Sequence, residues 1–454
     1  MSIIRDIVNP ATEDVIAQVR GLDAQETDVA IAKAVVGFNR WRKVAPGERA
    51  ALLRAFGANV AAHKEELARL EVANSGHTIS NARWEANNVA DVINYYSGSV
   101  ERLNGRQIPV AGGVNITFKE PIGVVGIIVP WNFPMPIASW GFAPALAAGC
   151  SVVLKPAEIT PLTMLRIVEL AYEVGIPEDA FQVITGSGRI VGETLVRDPR
   201  VRKIVFTGST EVGVHIQTVA APQIKPVTLE LGGKSANVIF ADADLSRAAA
   251  SAPYSVFDNA GQDCCARSRL LVQESAYDDF MSSFESAVKA VRVEDPSLDS
   301  AEMGPLISAG HRATMDGFID DSMVLFRGSC PNGPGYWYPP TVVRVDDPKH
   351  RVLQEEIFGP VVAVQTFKDE TEAIELANDS DYGLSGSIWT SNLGRALRVA
   401  RAIETGNLSV NSHASVRYWT PFGGYKKSGL GRELGPDATD AFCETKNVFI
   451  NTDF

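Results

Sequence analysis

From Pro121 to Leu154 the chain runs for 34 residues without one charged side chain. That length could cross a bilayer, so the stretch forces a choice between a membrane span and a deeply buried core. Its punctuation favours the core. Pro130, Pro134, Pro136 and Pro144, with Gly123, Gly126, Gly141 and Gly149, cut the run into pieces too short to span. The pieces read as a strand at 123–129, a loop, a buried helix over about 137–148 and a strand at 151–154.

That strand–helix–strand unit belongs to a longer alternation. Strands are predicted at 124–129, 151–154, 181–184, 203–206 and 236–239, with helices at 162–174, 191–197 and 213–220 between several of them. A second alternation runs from 245 to about 435: helix 245–257, strand 269–272, helix 276–291, and onward to Leu408-Ser-Val-Asn. Alternation of this kind implies parallel sheets with helices on both faces. The fold class is therefore α/β, with two doubly wound parallel-sheet domains. Ahead of them lie a strand pair over 1–20, turning at Asn9-Pro10, and helices over 23–98, where Val29, Ile31, Ala34, Val35 and Trp41 begin an apolar stripe. A hairpin is predicted over 102–119, turning at Gly112-Gly113, and the tail at 444–451 reads as a lone strand that needs a partner sheet.

Charge narrows the partners. A formal net charge of −12 and a pI near 5.1 argue against nucleic acid or an anionic membrane surface, while small anionic substrates stay open. The five cysteines (150, 264, 265, 330 and 443) are an odd number, and the first residues lack a basic segment followed by an apolar one. A reduced, cytoplasmic setting is expected. The six histidines are scattered and no HxxxH or CxxC spacing occurs, so no metal site is expected.

Chemistry concentrates in Phe257-Asp-Asn-Ala-Gly-Gln-Asp-Cys-Cys-Ala-Arg-Ser-Arg269, where Cys264 and Cys265 adjoin just past Gly261-Gln262. A thiolate is a strong nucleophile, yet free cysteines commonly pack in cores, and on its own the pair reads first as packing. Three predicted strand ends carry polar or glycine-rich turns: Lys155-Pro-Ala-Glu158, Gly186-Ser-Gly188 and Gly208-Ser-Thr-Glu-Val-Gly213. None is a full dinucleotide fingerprint, but ligands collect outside the carboxyl ends of parallel strands, so together they argue for a nucleotide. Glu158 could accept from ribose hydroxyls and Lys155 could donate to them; a surface ion pair is the plain alternative. Glu230 precedes two glycines in Glu230-Leu-Gly-Gly-Lys-Ser235, and Asn132 is flanked by prolines in Pro130-Trp-Asn-Phe-Pro134, a setting that could fix its amide as an oxyanion donor.

Seven motifs in order resemble the NAD(P)-dependent aldehyde dehydrogenase superfamily: Pro130-Trp-Asn-Phe-Pro134, Lys155-Pro-Ala-Glu158, Phe206-Thr-Gly-Ser-Thr-Glu-Val-Gly213, Glu230-Leu-Gly-Gly-Lys234, Gly261-Gln-Asp-Cys264, Glu355-Glu-Ile-Phe-Gly-Pro360 and Pro421-Phe-Gly-Gly-Tyr-Lys426. The resemblance covers nearly the whole chain and reverses the reading of the thiols. It implies Cys264 as nucleophile, Asn132 as oxyanion donor with the Cys264 backbone N–H, and Glu230 as the base for the water that releases an acid. Lys155 and Glu158 would meet the adenosine ribose, Trp131 and Ser209 the pyrophosphate, Glu356 and Phe358 the nicotinamide ribose, with Val129, Pro130, Gly188, Gly208 and Leu231 completing the cofactor contacts. Glu158 would favour NAD over NADP. The implied layout is an NAD-binding domain over 1–101 and 121–231, a catalytic domain over 232–435, and a small β oligomerisation arm over 102–120 and 436–454 that makes a homodimer or homotetramer.

Position relative to those motifs puts Phe133, Ile137, Trp140, Asp258, Val416, Trp419 and Phe422 at the substrate mouth. Asp258 and Asp263 flank the nucleophile, and Gly-Gln-Asp-Cys is similar to members acting on ω-aminoaldehydes, so a cationic aldehyde such as 4-aminobutanal is expected. The alternative is that Asp263 faces away and Arg267 or Arg417 governs charge, which leaves a broad aliphatic, aromatic or semialdehyde substrate. Acylation of coenzyme A and a non-catalytic role on this fold are further rivals; family members of the acylating kind resemble this pattern but lack the base at Glu230. The sequence also departs from the family: it begins abruptly at the strand pair, is a few residues short near 320–333, and carries Arg267 where many members have a small residue.

Overall fold

The computed structural model describes residues 4–452. Its first strand pair is Ile4–Val8 against Val15–Arg20, antiparallel; residues 1–3 of the expected pair and 453–454 of the expected arm lie outside the described residues. Four helices follow: Ala24–Trp41, Pro46–Ala62, Lys64–Ser75 and Ile79–Ser97. Asp23 and Glu26 cap the first by accepting each other's backbone N–H. Its buried face is Ala30, Ile31 and Ala34, while Val29 is 61% exposed and lies off the expected stripe.

The charge-free run forms the centre of the first sheet. Its strand order is Gly429–Leu430, Val227–Glu230, Val201–Thr207, Val124–Ile128, Ser151–Lys155, Phe181–Val183, parallel except for the first, which runs antiparallel to Val227–Glu230. The helix inside the run, Pro134–Ala148, starts before the expected 137, because Pro134 and Pro136 sit in a first turn whose N–H groups have no intrahelical acceptor. Every residue of it is buried, and Gly149 ends it at a left-handed φ of 99°. Phe142 packs between Phe56 and Phe181, ring centroids 5.9 and 4.9 Å away, so a helix without polar relief is enclosed on all sides.

The second sheet runs Val324–Arg327, Thr341–Arg344, Val361–Phe367, Arg269–Gln273, Ala236–Ile239, Ser385–Trp389, Asn407–Val410, parallel except for the first strand. Ala236–Ile239, which the alternation grouped with the first set of strands and the implied layout with residues 232–435, lies between Arg269–Gln273 and Ser385–Trp389. The chain crosses between sheets at Leu231–Ser235, immediately after the strand ending in Glu230. The expected helix 245–257 is two pieces, Leu245–Ser251 and Tyr254–Phe257, divided at Pro253, which has no N–H to continue the ladder. The tail finds its partner within the chain: Cys443–Asn451 pairs antiparallel with Gly113–Pro121, and Gln107–Val110 completes a three-stranded sheet. Among the described residues no helix is long and apolar enough to cross a membrane.

Candidate active site

Between the short helix Tyr254–Phe257 and the strand Arg269–Gln273 the chain makes a strained turn. Asn259, Ala260 and Gly261 take φ of 49°, 53° and 70°, a left-handed run that costs a residue such as Ala260 roughly 1 kcal/mol. Hydrogen bonds hold it there. The Asn259 amide donates to the carbonyls of Asn132 (2.8 Å) and Gln262 (3.2 Å), and the Ile307 N–H donates to the Gln262 side chain at 2.8 Å. The Asn132 amide donates to the Gln262 carbonyl at 3.0 Å, which joins the Pro130–Pro134 loop to the turn two residues before Cys264. Cys264 is half-buried, whereas Cys265 is buried in the core. The neighbouring Cys265 thiol, burial and the carboxylates of Asp263 and Glu356 hold the Cys264 thiol well above its usual range.

Glu230 ends the strand Val227–Glu230 and faces the same space. It is buried, and neither carboxylate oxygen has a hydrogen-bond partner among the described residues. Burial, then the nearby carboxyl of Glu433, raises its pKa well above the carboxylate range; Arg432 opposes them. Glu433 is itself buried and pushed up to about 8. The two glycines after Glu230 are there because of close approach. A Cβ on Gly232 would lie 2.4 Å from the Glu356 carboxylate, and one on Gly233 would lie 2.2 Å from the Cys264 carbonyl. Glu356 accepts the Gly233 N–H at 2.9 Å, and burial lifts its pKa to about 7.

Two cavities meet at Cys264 and Glu230. One, about 660 Å³, is lined by Pro130, Trp131, Asn132, Thr207, Gly208, Ser209, Leu231, Gly232, Glu356 and Phe358 as well as those two. Ser209 caps the helix Thr210–Ala220, its hydroxyl accepting the Val212 N–H. Trp131 stands edge-on to Phe358 and His311, centroids 5.2 and 5.5 Å away. The other, about 1280 Å³, gathers Phe133, Ile137, Trp140, Asp258, Asp263, Val416 and Phe422 around the same pair, with Trp84 and Tyr254. Asp258 accepts from the Asn81 amide and from the Asn259 N–H at 3.1 Å, and burial raises its pKa to about 6. Trp419 departs from expectation: it is 49% exposed, stacks edge-on against Tyr418 and does not line the cavity. Arg417 is exposed and donates to the Ala414 carbonyl at 3.2 Å.

The Aldehyde dehydrogenase family model matches residues 4–448. The chain belongs to the aldehyde dehydrogenase family. Aminoaldehyde dehydrogenase 2, peroxisomal, of Pisum sativum is 38% identical to it, the match covering 97% of this chain and 91% of that one. The betaine aldehyde dehydrogenase of Bacillus subtilis (strain 168) is 37% identical across 99% and 94%. A crystal structure of betaine aldehyde dehydrogenase from Staphylococcus aureus in complex with NAD+ has a TM-score of 0.96 at 38% identity, across 99% of this chain and 92% of that one.

In this family member, of the remaining expected cofactor residues only Glu158 lines a separate opening. Glu158 faces a cavity of about 630 Å³ with Ser187 and Ile190, accepts the Gly188 N–H at 3.3 Å, and pairs with Arg5 at 2.8 Å, a partner the sequence did not suggest. Lys155 is buried and donates to the Pro156 carbonyl at 3.1 Å; burial lowers its pKa to about 8. Val129 is buried, its N–H donating to the Lys155 carbonyl at 3.1 Å, and lines neither cleft. Sequence reasoning missed Asn259, Gln262, Asn81 and Glu433. A signal existed for Asn259, since Asp-Asn-Ala-Gly is turn-forming and asparagine tolerates a left-handed φ. The others act through contacts across long sequence separations.

Among the described residues two groups of side chains are close enough to share a cation: Asp263, Cys264 and Cys265, and the buried Glu71, His77 and Glu85. The second lies behind the wall formed by Phe133, whose ring is 5.3 Å from His77, and the His77 ring pairs with Glu85.

Proposed function

We propose that this chain oxidises an aldehyde to the carboxylic acid with NAD as hydride acceptor, Cys264 being the nucleophile and Glu230 the base. The observation that carries the reading is that Cys264 and Glu230 stand on the wall common to both large cavities. A nucleophile there can meet an aldehyde from one side and present the adduct to a cofactor on the other.

The cofactor side fits a dinucleotide. The N-terminus of the helix Thr210–Ala220, next to Gly208 and Ser209 on this cavity, suits a pyrophosphate, Gly188 has open space where a Cβ would stand, and Glu356 and Phe358 offer a carboxylate and a ring at the far end. Relatives are crystallised with NAD+, which supports the choice. Residues Pro130, Trp131, Gly208, Ser209, Leu231, Glu356 and Phe358 would hold the nicotinamide half, and Lys155, Glu158 and Gly188 the adenosine half. The nicotinamide, when bound, supplies the hydride acceptor.

The chain's own residues do the rest. The Cys264 thiol, once ionised, attacks the aldehyde carbon, and the Asn132 amide with the Cys264 N–H steadies the oxygen that gains charge. At the acid level of oxidation the carbon is held as a Cys264 thioester. Glu230 takes a proton from water, the hydroxide adds to the thioester, and Cys264 leaves as the thiolate with the acid. With both carboxyl oxygens buried and unpartnered, Glu230 keeps its proton to higher pH than an ordinary carboxyl, so turnover should rise with pH as it ionises.

The second cavity supports a cationic aldehyde. Asp258 and Asp263 face it among Trp84, Phe133, Trp140, Tyr254 and Phe422, a combination of carboxylate and ring faces suited to an ammonium group. The relatives named for aminoaldehydes and betaine aldehyde point the same way. A homo-oligomer built through the three-stranded sheet is part of the proposal, supported by the exposed Ile108, Val114, Phe118 and Phe449 on it.

Absorbance of NADH with 4-aminobutanal, betaine aldehyde, an uncharged aldehyde of equal length and succinic semialdehyde tests the reading. Equal kcat/KM for the cations and the uncharged aldehyde would sink the substrate assignment. NADH formation that requires coenzyme A would sink the hydrolytic one.

A further inference from the structure

Arg267 is a buried cation beneath the nucleophile turn, and its hydrogen bonds go to the protein. Nη1 donates to the Cys265 carbonyl at 2.6 Å and Nε to the Ser387 hydroxyl at 3.1 Å. Nη2 reaches the His413 carbonyl and the Ser415 hydroxyl, both at 3.1 Å, and the Gly386 carbonyl at 3.4 Å. These acceptors belong to three segments: the turn, the strand Ser385–Trp389, and the 413–415 stretch leading to Val416 on the aldehyde side. A guanidinium so engaged has little left for a substrate carboxylate.

Its grip on the turn is specific. The Cys265 N–H donates to Asp263 at 2.8 Å while the Cys265 carbonyl accepts from Arg267, so the residue beside the nucleophile is held at both polar groups. The Asp263 carboxylate and the sulfurs of Cys264 and Cys265 lie within 4.8 Å of one another. Besides Asp263, the other acidic groups lining the two cavities with the nucleophile are Glu356, Glu230 and Asp258, and His413 is kept neutral by burial and by Arg267, its pKa down to about 3. Of the residues lining the two cavities, Arg267 is the one Lys or Arg.

We propose that Arg267 is a positioning residue for this reaction: it fixes the Cys265 peptide so that Cys264 points into the cleft, and it supplies the buried positive charge that lets the Cys264 thiol ionise. Burial lowers the Arg267 pKa, and the neighbouring Cys265, Asp263 and Cys264 pull it the other way, as attraction between opposite charges would. The inference rests on the reading of Cys264 as nucleophile.

Iodoacetamide alkylation of the full-length, NAD-free protein, followed from pH 6 to 10 by mass of the Cys264 peptide, tests it without turnover. In Arg267→Met the rate at pH 8 should fall roughly 10-fold, its rising limb moving to higher pH. Arg267→Lys should restore the limb, since it keeps the charge, while kcat stays low because the fork is lost. Should Arg267→Met fail to fold by a melting curve, Arg267→Gln, which keeps a donor for the Cys265 carbonyl, decides. An unchanged alkylation profile in a folded, uncharged variant overturns the inference, leaving Arg267 a packing residue. That outcome differs from failure of the nucleophile reading, which would appear as NADH production surviving in Cys264→Ser.

Discussion

The two large cavities share Thr207, Glu230 and Cys264 but are built in opposite ways. The first is made at strand ends of one parallel sheet, by short turns such as Thr207–Ser209 and Glu230–Gly232, where backbone and glycine do much of the work. The second is made of side chains brought from the helices Ile79–Ser97 and Pro134–Ala148, the nucleophile turn and the 413–422 segment. A cavity of backbone tolerates little change and suits a ligand that stays the same. One lined by scattered side chains can be altered one residue at a time, so specificity should live there.

The shared wall gives the largest expected effect. Cys264→Ser should cost at least about 10³-fold in NADH formation with every aldehyde, because it removes what both cavities serve. Activity kept with one aldehyde alone would break the idea of a common wall. Glu230→Gln should lower steady turnover roughly 10²-fold or more while leaving an initial burst of about one NADH per site, seen by stopped flow. A lost burst would mean that Glu230 acts before the thioester. On the second cavity alone, Asp258→Asn should lower kcat/KM for 4-aminobutanal roughly 10-fold and spare an uncharged aldehyde. With the wild type, preference for the cation should grow as pH rises through about 6, where Asp258 ionises. Equal losses for both aldehydes would assign Asp258 to structure.

The smallest effect tests the scaffold behind that cavity. His77 is raised to about 9 from 6.5; burial lowers it, and Glu85, Glu71 and Asp258 more than compensate. A raised folded pKa means that the pairing stabilises fully below about 6.5 and is lost as pH climbs through 9. Glu71, raised to about 7 by burial and Glu85, adds a loss of the same sign at lower pH. The Tm should therefore decline from pH 6.5 to 9, and His77→Gln should lower the Tm but flatten that decline. A slope unchanged in His77→Gln would place the titration elsewhere.

The sequence made the first cavity legible because each of its turns is local: strand, glycine, polar residue. Phe133, Ile137, Trp140, Asp258, Asp263, Val416 and Phe422, expected at the substrate mouth from their distance to the motifs, line one cavity. Long-range pairing was beyond reach. Nothing local tells Ala236–Ile239 which sheet to join, since its apolar run suits burial between any two parallel strands. Likewise Arg267 reads as a charge that could govern the substrate, because all its acceptors except the Cys265 carbonyl lie more than a hundred residues further along. Trp419 was misjudged for the same reason: proximity in sequence to Phe422 does not fix the direction of a side chain.

Glu230 owes its final setting to a piece of chain far beyond it. Gly429–Leu430 closes the sheet edge against Leu229–Glu230, and Cys443–Asn451 then covers Gly113–Pro121. As the chain is synthesised from its N-terminus, Cys264 leaves the ribosome well before that edge exists. On the proposed reading, the nascent protein carries its nucleophile before the strand that borders its base has been made, so the two halves of the chemistry are completed by different stretches of chain. A chain cut short before Gly429 should therefore lack the strand that borders Glu230.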